Sequence, residues 1–140
     1  MKTNSPQTMV DRVNGQIYLL MEGKPLEAFD DYFDANVTMF ANDEVFALGA
    51  LEGRQKQEPY INAAKSIAGH ITDLKIAEHH NLCVFRNLSR FTTTDDIEHQ
   101  IDGLSWQKWC DGHIIEERYY DGELMQKLIS DGIMETPEIL

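Results

Sequence analysis

The sequence predicts an α+β fold, a curved antiparallel or mixed sheet wrapped around N-terminal helices and enclosing one pocket. Three observations predict it. Two helical patterns precede any strand, a hairpin and a third helix follow, and after Gly69 the chain reads as strand almost to its end. Helices grouped before a run of antiparallel strands pack on one side of the sheet those strands form.

Each element follows from local chemistry. Ser5-Pro6 is a helix start, serine as N-cap and proline at the first helical position, and Met9, Val13, Ile17, Leu20 and Met21 continue at helical spacing over about residues 6–22. Gly23 and Pro25 stop this helix, and Leu26, Phe29 and Phe33 share a face of the next one. Asn36 to Gly49 reads as a hairpin around the Asn42-Asp43 turn. Tyr60, Ile61, Ala64 and Ile67 give a third helix that stops at Gly69, with Pro59 either in the first turn of a shorter helix or kinking a longer one. Four long strands follow, from His70, Leu82, Glu98 and His113, with Asp111-Gly112 as the sharpest turn. Residues 123–130 form a short helix, and the last ten residues are a tail that is ordered only if something holds it.

The 140 residues are most simply a single domain, 1–140. Twelve Lys and Arg stand against 24 Asp and Glu, a net charge of −12 that repels phosphate backbones and anionic lipid heads, so neither nucleic acid nor membrane is an expected partner. The first residues carry no apolar run of signal-peptide length and no segment is long enough to span a bilayer, so a cytoplasmic protein is expected. Cys83 and Cys110 stand alone and are read as reduced, partly buried structural thiols. His79 and His80 point to opposite faces of a strand and cannot chelate one ion together, so no metal is expected.

The stretch from Glu98 to Trp109 is the odd one. Both of its faces mix aromatic bulk with hydrogen-bonding groups, which suits the wall of a ligand pocket, with Gly103 allowing a bend. On the last strand Glu117, Tyr119 and Asp121 lie on one face at spacing two. The Asp111-Gly112 turn is either a two-residue hairpin or a longer one with a bulge, and the choice decides which face of Glu98–Trp109 lies beside those three residues.

The opening helix pair, the run FDDYFDANVTMF from Phe29 to Phe40, the EG before the third helix and above all LSWQKWCDGHIIEERYYD from Leu104 to Asp121 resemble the SnoaL-like polyketide cyclase family of the nuclear transport factor two-like superfamily. The resemblance covers residues ~6–125, leaving 126–140 as a C-terminal tail. It implies a cone-shaped α+β barrel with one deep pocket, usually a homodimer through the outer sheet face, and in the enzymes cofactor-free acid–base chemistry. Other members only bind or dimerise. It carries Asp121 over as a possible base, while Gln107 stands where the cyclases have a partner histidine.

Acid–base catalysis without a cofactor needs a carboxylate or histidine in a water-poor cavity and a donor for the developing oxyanion. The candidates are Asp121 or Glu117 as base, with Tyr119 and His99 as donors. Tyr119 is alternatively an aromatic wall, and His99 alternatively caps its strand. Asp102 is either buried against Arg90 or Arg118 or placed in a dimer interface. Tyr18, Tyr32, Phe33, Phe40 and Tyr60 supply aromatic surface for a ligand, and Gly103, Ser105 and Gln107 supply its polar contacts. The expectation is a SnoaL-like binder of a small hydrophobic or aromatic molecule. It is either a cofactor-independent cyclase, isomerase or dehydratase or a non-catalytic ligand-binding or dimerisation module.

Overall fold

The computed structural model describes residues 7–140. The Ser5-Pro6 start signal lies outside the described residues. Helix α1 (Met9–Met21) is capped by Thr8, whose hydroxyl accepts the Asp11 N–H at 3.1 Å while the Asp11 carboxylate accepts the Thr8 N–H at 3.4 Å. That reciprocal pair satisfies two of the amide groups a helix start leaves without partners. Helix α2 (Pro25–Tyr32) begins at its proline, where a missing N–H costs nothing.

Strands β1 (Phe33–Ala41) and β2 (Glu44–Leu48) form the expected hairpin, with Asn42 and Asp43 both at positive φ in the two-residue turn. Helix α3 (Ala50–Asn62) is shorter than expected. Pro59 sits inside the helix, in its last turn rather than its first, and the chain then turns into strand β3 (Ala64–Ala68), so the helix does not run on to Gly69. Pairing of β3 with β6 (Arg90–Thr93) overrides the helical spacing of Ala64 and Ile67. Gly53 lets α3 lie close on the sheet, since a methyl there would stand 2.6 Å from the Met39 sulfur and 3.2 Å from the Phe29 ring.

Strands β4 (Ile71–Ala77), β5 (Leu82–Asn87), β8 (Gly103–Cys110) and β9 (His113–Tyr120) complete a six-stranded mixed sheet of order β2-β1-β9-β8-β5-β4, with β1 parallel to β9. Two predicted long strands are each broken. The chain leaves the main sheet at Leu88-Ser89 and rejoins it after Ile101-Asp102, and between these points β6 pairs with β3 on one side and with β7 (Glu98–Gln100) on the other in a separate three-stranded sheet. The Ile101 N–H donates to the Ser89 carbonyl at 2.8 Å and joins the two breaks. The sheet is curved but not closed: β2 and β4 remain as its edges, so the barrel that the resemblance implies is an open one.

The Asp111-Gly112 turn is a two-residue hairpin, with Cys110 paired to His113 and both turn residues at positive φ. A bulge follows separately. Trp109 pairs with Ile114 and Lys108 with Glu116, so Ile115 is an extra residue on β9. Gln107 is thereby set beside Glu117 and Ser105 beside Tyr119, on one face.

The inner face packs Val37, Met39, Cys83, Phe85 and Trp109 against Val13 and Ile17 of α1 and Phe29 of α2. On the outer face, helix α4 (Gly122–Ser130) and the segment after it cover β5, β8 and β9. Met125, Leu128 and Ile133 pack there on Val84, Leu104 and Trp106. The Trp106 indole N–H donates to the Pro137 carbonyl at 2.8 Å, and this anchors the tail. The face on which the resemblance puts a dimer contact is therefore filled there by the chain's own C-terminus. No helix among the described residues is long and apolar enough to cross a membrane.

Candidate functional site

Between the concave face of the sheet and helices α1, α2 and α3 lies a cavity of about 400 Å³. Its walls are mainly aromatic and aliphatic: Phe29 and Phe33 from the α2–β1 corner, Phe46 from β2, Phe85 from β5, and Phe91 and Ile101 where the small sheet bends over. Tyr60 stands at its margin, largely exposed. A smaller recess of about 200 Å³ shares Phe46, Gln57, Glu117 and Tyr119 with it.

Glu117 is the acidic residue of the main cavity wall. Its Oε2 accepts a hydrogen bond from Gln107 Nε2 at 2.7 Å, and its Oε1 has no partner among the described residues. Gln107 is held on every side. Its amide exchanges two hydrogen bonds with the Gln16 amide, at 2.7 and 2.8 Å, and its Oε1 also accepts from the Cys83 thiol at 3.4 Å. Cys83 in turn accepts the Trp109 indole N–H at 3.3 Å. With both amide hydrogens and the carbonyl committed, Gln107 can only present a donor to Glu117.

Burial pushes the Glu117 carboxyl from the usual 4.5 up to about 7, against the Gln107 hydrogen bond, which pulls it down. A carboxyl in this range holds both protonation states near neutral pH, as a group that must take and return a proton requires. Burial also lifts the Tyr119 phenol to about 12, with the Asp121, Asp102 and Glu117 charges adding to it, so Tyr119 is a donor at neutral pH. Its ring lies over Gly103, where a methyl group would stand 2.2 Å from the phenol. Gly103 thus provides the room Tyr119 occupies rather than a bend alone.

The other predicted site residues divide clearly. Phe33, Tyr60, Ser105 and Gln107 line the cavity with Glu117 and Tyr119. Asp121 does not. It is exposed just before α4, its Oδ1 accepts from Asn42 Nδ2 at 2.8 Å, and its N–H donates to Asn42 Oδ1 at 3.0 Å, because the strand ends one residue earlier. His99 is also removed from the site: the break at Ile101-Asp102 places it in β7, exposed and stacked on Phe91 at 4.9 Å.

Tyr18 is exposed, and Tyr32 packs edge-on against Trp109 under the Arg12 guanidinium. Phe40 faces outward beneath Arg118 at 4.0 Å and only borders the smaller recess. Asp102 is bound by Arg86 at 3.0 Å, not by Arg90 or Arg118, and is exposed. Cys83 is buried whereas Cys110 is exposed, contrary to its reading as partly buried. His79 and His80 lie in a short 3-10 turn.

Sequence reasoning missed Gln16, Asn87 and Ser89. Gln16 left a legible signal, an amide inside the Val13-Ile17-Leu20 apolar stripe, where a polar group must find a buried partner. Asn87 left one as well, since it shares the face of Cys83 and Phe85 at spacing two on β5. Ser89 left none, since it lies in the strand break, a tertiary feature.

No family model matches the chain, and no curated protein matches it. Solved structures do. A protein from Mesorhizobium loti named as a SnoaL-like polyketide cyclase superposes with a TM-score of 0.68 at 18% identity, over 82% of this chain and 100% of that one. Another of that name from Jannaschia sp. CCS1 gives 0.66 at 9% identity, over 91% and 96%. An NTF2-like protein of unknown function from Exiguobacterium sp. 255-15 gives 0.62 at 19%, over 83% and 99%. At these identities the likeness establishes the fold, which is that of the SnoaL-like and NTF2-like proteins.

Proposed function

We propose that this chain binds a small hydrophobic or aromatic ketone in the cavity and catalyses a cofactor-independent enolisation there. The observation that carries this reading is one carboxyl group, Glu117, set by a fully committed amide into a mainly apolar cavity and poised to titrate near 7.

The Glu117 carboxylate takes a proton from a carbon next to the carbonyl. The C–H pair becomes the C=C bond of an enolate while the carbonyl π pair moves to oxygen, where the Tyr119 hydroxyl donates to it. Return of the proton from Glu117 to another carbon of the conjugated system completes an isomerisation. In a cyclisation the enolate carbon bonds to a second carbonyl carbon, that carbonyl's π pair moves to its oxygen, and the oxygen takes the proton back from Glu117. Neither route needs an oxidant or reductant.

The test follows deuterium exchange into the methyl group of acetylnaphthalene in D₂O by NMR. The wild type is expected to accelerate exchange above background, and Glu117→Gln to lose at least ~10²-fold of that acceleration. Exchange at the background rate in the wild type would reject catalysis. One observation favours the second reading, a binding protein without turnover: Gln107 cannot titrate where the resemblance puts a histidine, so Glu117 lacks a partner to relay its proton.

A further inference from the structure

Three hydrogen-bond donors without partners among the described residues line the cavity wall on neighbouring strands near Gly103. Ser105 is only 7% exposed, yet its hydroxyl has no partner among the described residues and no buried side-chain oxygen there is left wholly enclosed and unpaired, so the group opens onto the cavity it lines. Asn87 pairs with Gly103 across β5 and β8. Its Oδ1 accepts both the Ser89 N–H at 3.0 Å and the Ser89 hydroxyl at 2.5 Å. A backbone N–H can only donate, so the oxygen of this amide is fixed in place and Nδ2 occupies the other corner. Nδ2 has no partner among the described residues. The Tyr119 ring covers Gly103 itself, and its hydroxyl is likewise free of protein partners among those residues.

We infer that Asn87 Nδ2, Ser105 Oγ and Tyr119 Oη form a subsite for a carbonyl oxygen, which orients an apolar ketone with its carbonyl toward these three donors and its α-carbon toward Glu117. This rests on the reading of the cavity as a ligand site. Glu117 is two residues from Tyr119 on the same strand face, a separation of about 7 Å along the strand. An oxygen held at the donors therefore leaves the adjacent carbons on the Glu117 side. The Tyr119 ring fills the space over Gly103, so the oxygen is met at the edge of that ring, beside its hydroxyl. Donors that lose water without gaining an acceptor select against a ligand that lacks one. The apolar remainder faces Phe29, Phe33, Phe46 and Phe85.

The test compares acetylnaphthalene with isopropenylnaphthalene of the same ring position, which differ only in exchange of C=O for C=CH₂, by titration calorimetry. The wild type is expected to bind the ketone at least about 10-fold more tightly. Ser105→Ala and Asn87→Asp should each reduce that preference severalfold and leave the hydrocarbon affinity unchanged, a control a merely structural role would not pass. Equal affinity of the wild type for both compounds overturns the subsite and leaves the apolar cavity standing. A ketone preference that survives in both variants and in Tyr119→Phe also overturns it. Binding of neither compound overturns the ligand-site reading and the subsite with it.

Discussion

Gln107 Nε2 donates to Glu117 Oε2 at 2.7 Å, directly across β8 and β9, and this bond ties the acid of the cavity to a buried chain running through Gln16, Cys83 and Trp109. Buried networks of this kind are worth most when every member is satisfied, and cutting one member leaves the others unpaired. Gln107→Leu is therefore expected to destabilise the fold by about 2–4 kcal/mol, read by urea unfolding, because it orphans Gln16 and removes the donor to Glu117. A change below about 1 kcal/mol would show the network to be slack.

Stability should depend on pH through the same carboxyl group. Folded, Glu117 keeps its proton up to about 7; unfolded, it loses it near 4.5. Between these values the native state binds more protons, so stability is fully present below 4.5, falls as pH rises, and reaches its full loss above 7. The loss is at most about 3 kcal/mol, less where the carboxyl opens to the cavity. Glu117→Gln lacks this proton, so its melting temperature should gain on the wild type as pH rises through that window. A difference that stays constant across the window would place the carboxyl in an ordinary solvated setting.

Gly103→Ala puts a methyl group 2.2 Å from the Tyr119 ring, a distance no real contact tolerates. The ring must move, at a cost of about 1–3 kcal/mol, and ketone affinity should fall with it. Restoring space with the double variant Gly103→Ala, Tyr119→Phe should recover stability only in part, because the ring itself overlaps the methyl.

The two cysteines should react differently. Burial pushes the Cys83 thiol up to about 12, and Cys110 is exposed. Iodoacetamide applied to the native protein is expected to label Cys110 and spare Cys83 by peptide mass spectrometry, both becoming labelled in denaturant. Labelling of Cys83 at the Cys110 rate would mean that the sheet's inner face opens readily.

The C-terminal segment should behave as part of the core. Trp106→Phe removes the donor to the Pro137 carbonyl and is expected to cost about 1 kcal/mol in urea unfolding. It should also speed proteolysis after Ser130, since the indole bond fastens the residues beyond α4. Unchanged cleavage there would assign the anchoring to Ile133 and the apolar contacts alone.

The sequence by itself determined the element types where a local rule dominates. The Asn42-Asp43 and Asp111-Gly112 turns, the proline start of α2 and the spacing of Glu117 and Tyr119 on one face are consequences of backbone conformation and a side-chain period of two. The tertiary structure decided what depends on chain segments far apart. It broke two strands at Leu88-Ser89 and Ile101-Asp102, which removed His99 and brought in Ser89. It ended β9 before Asp121, and it replaced a helical ending by β3 because strand pairing with β6 outweighs local spacing. The weakened acidity of Glu117 belongs to the same class, because it comes from burial in a cavity that distant helices and strands wall together, and no residue adjacent in the chain records that enclosure.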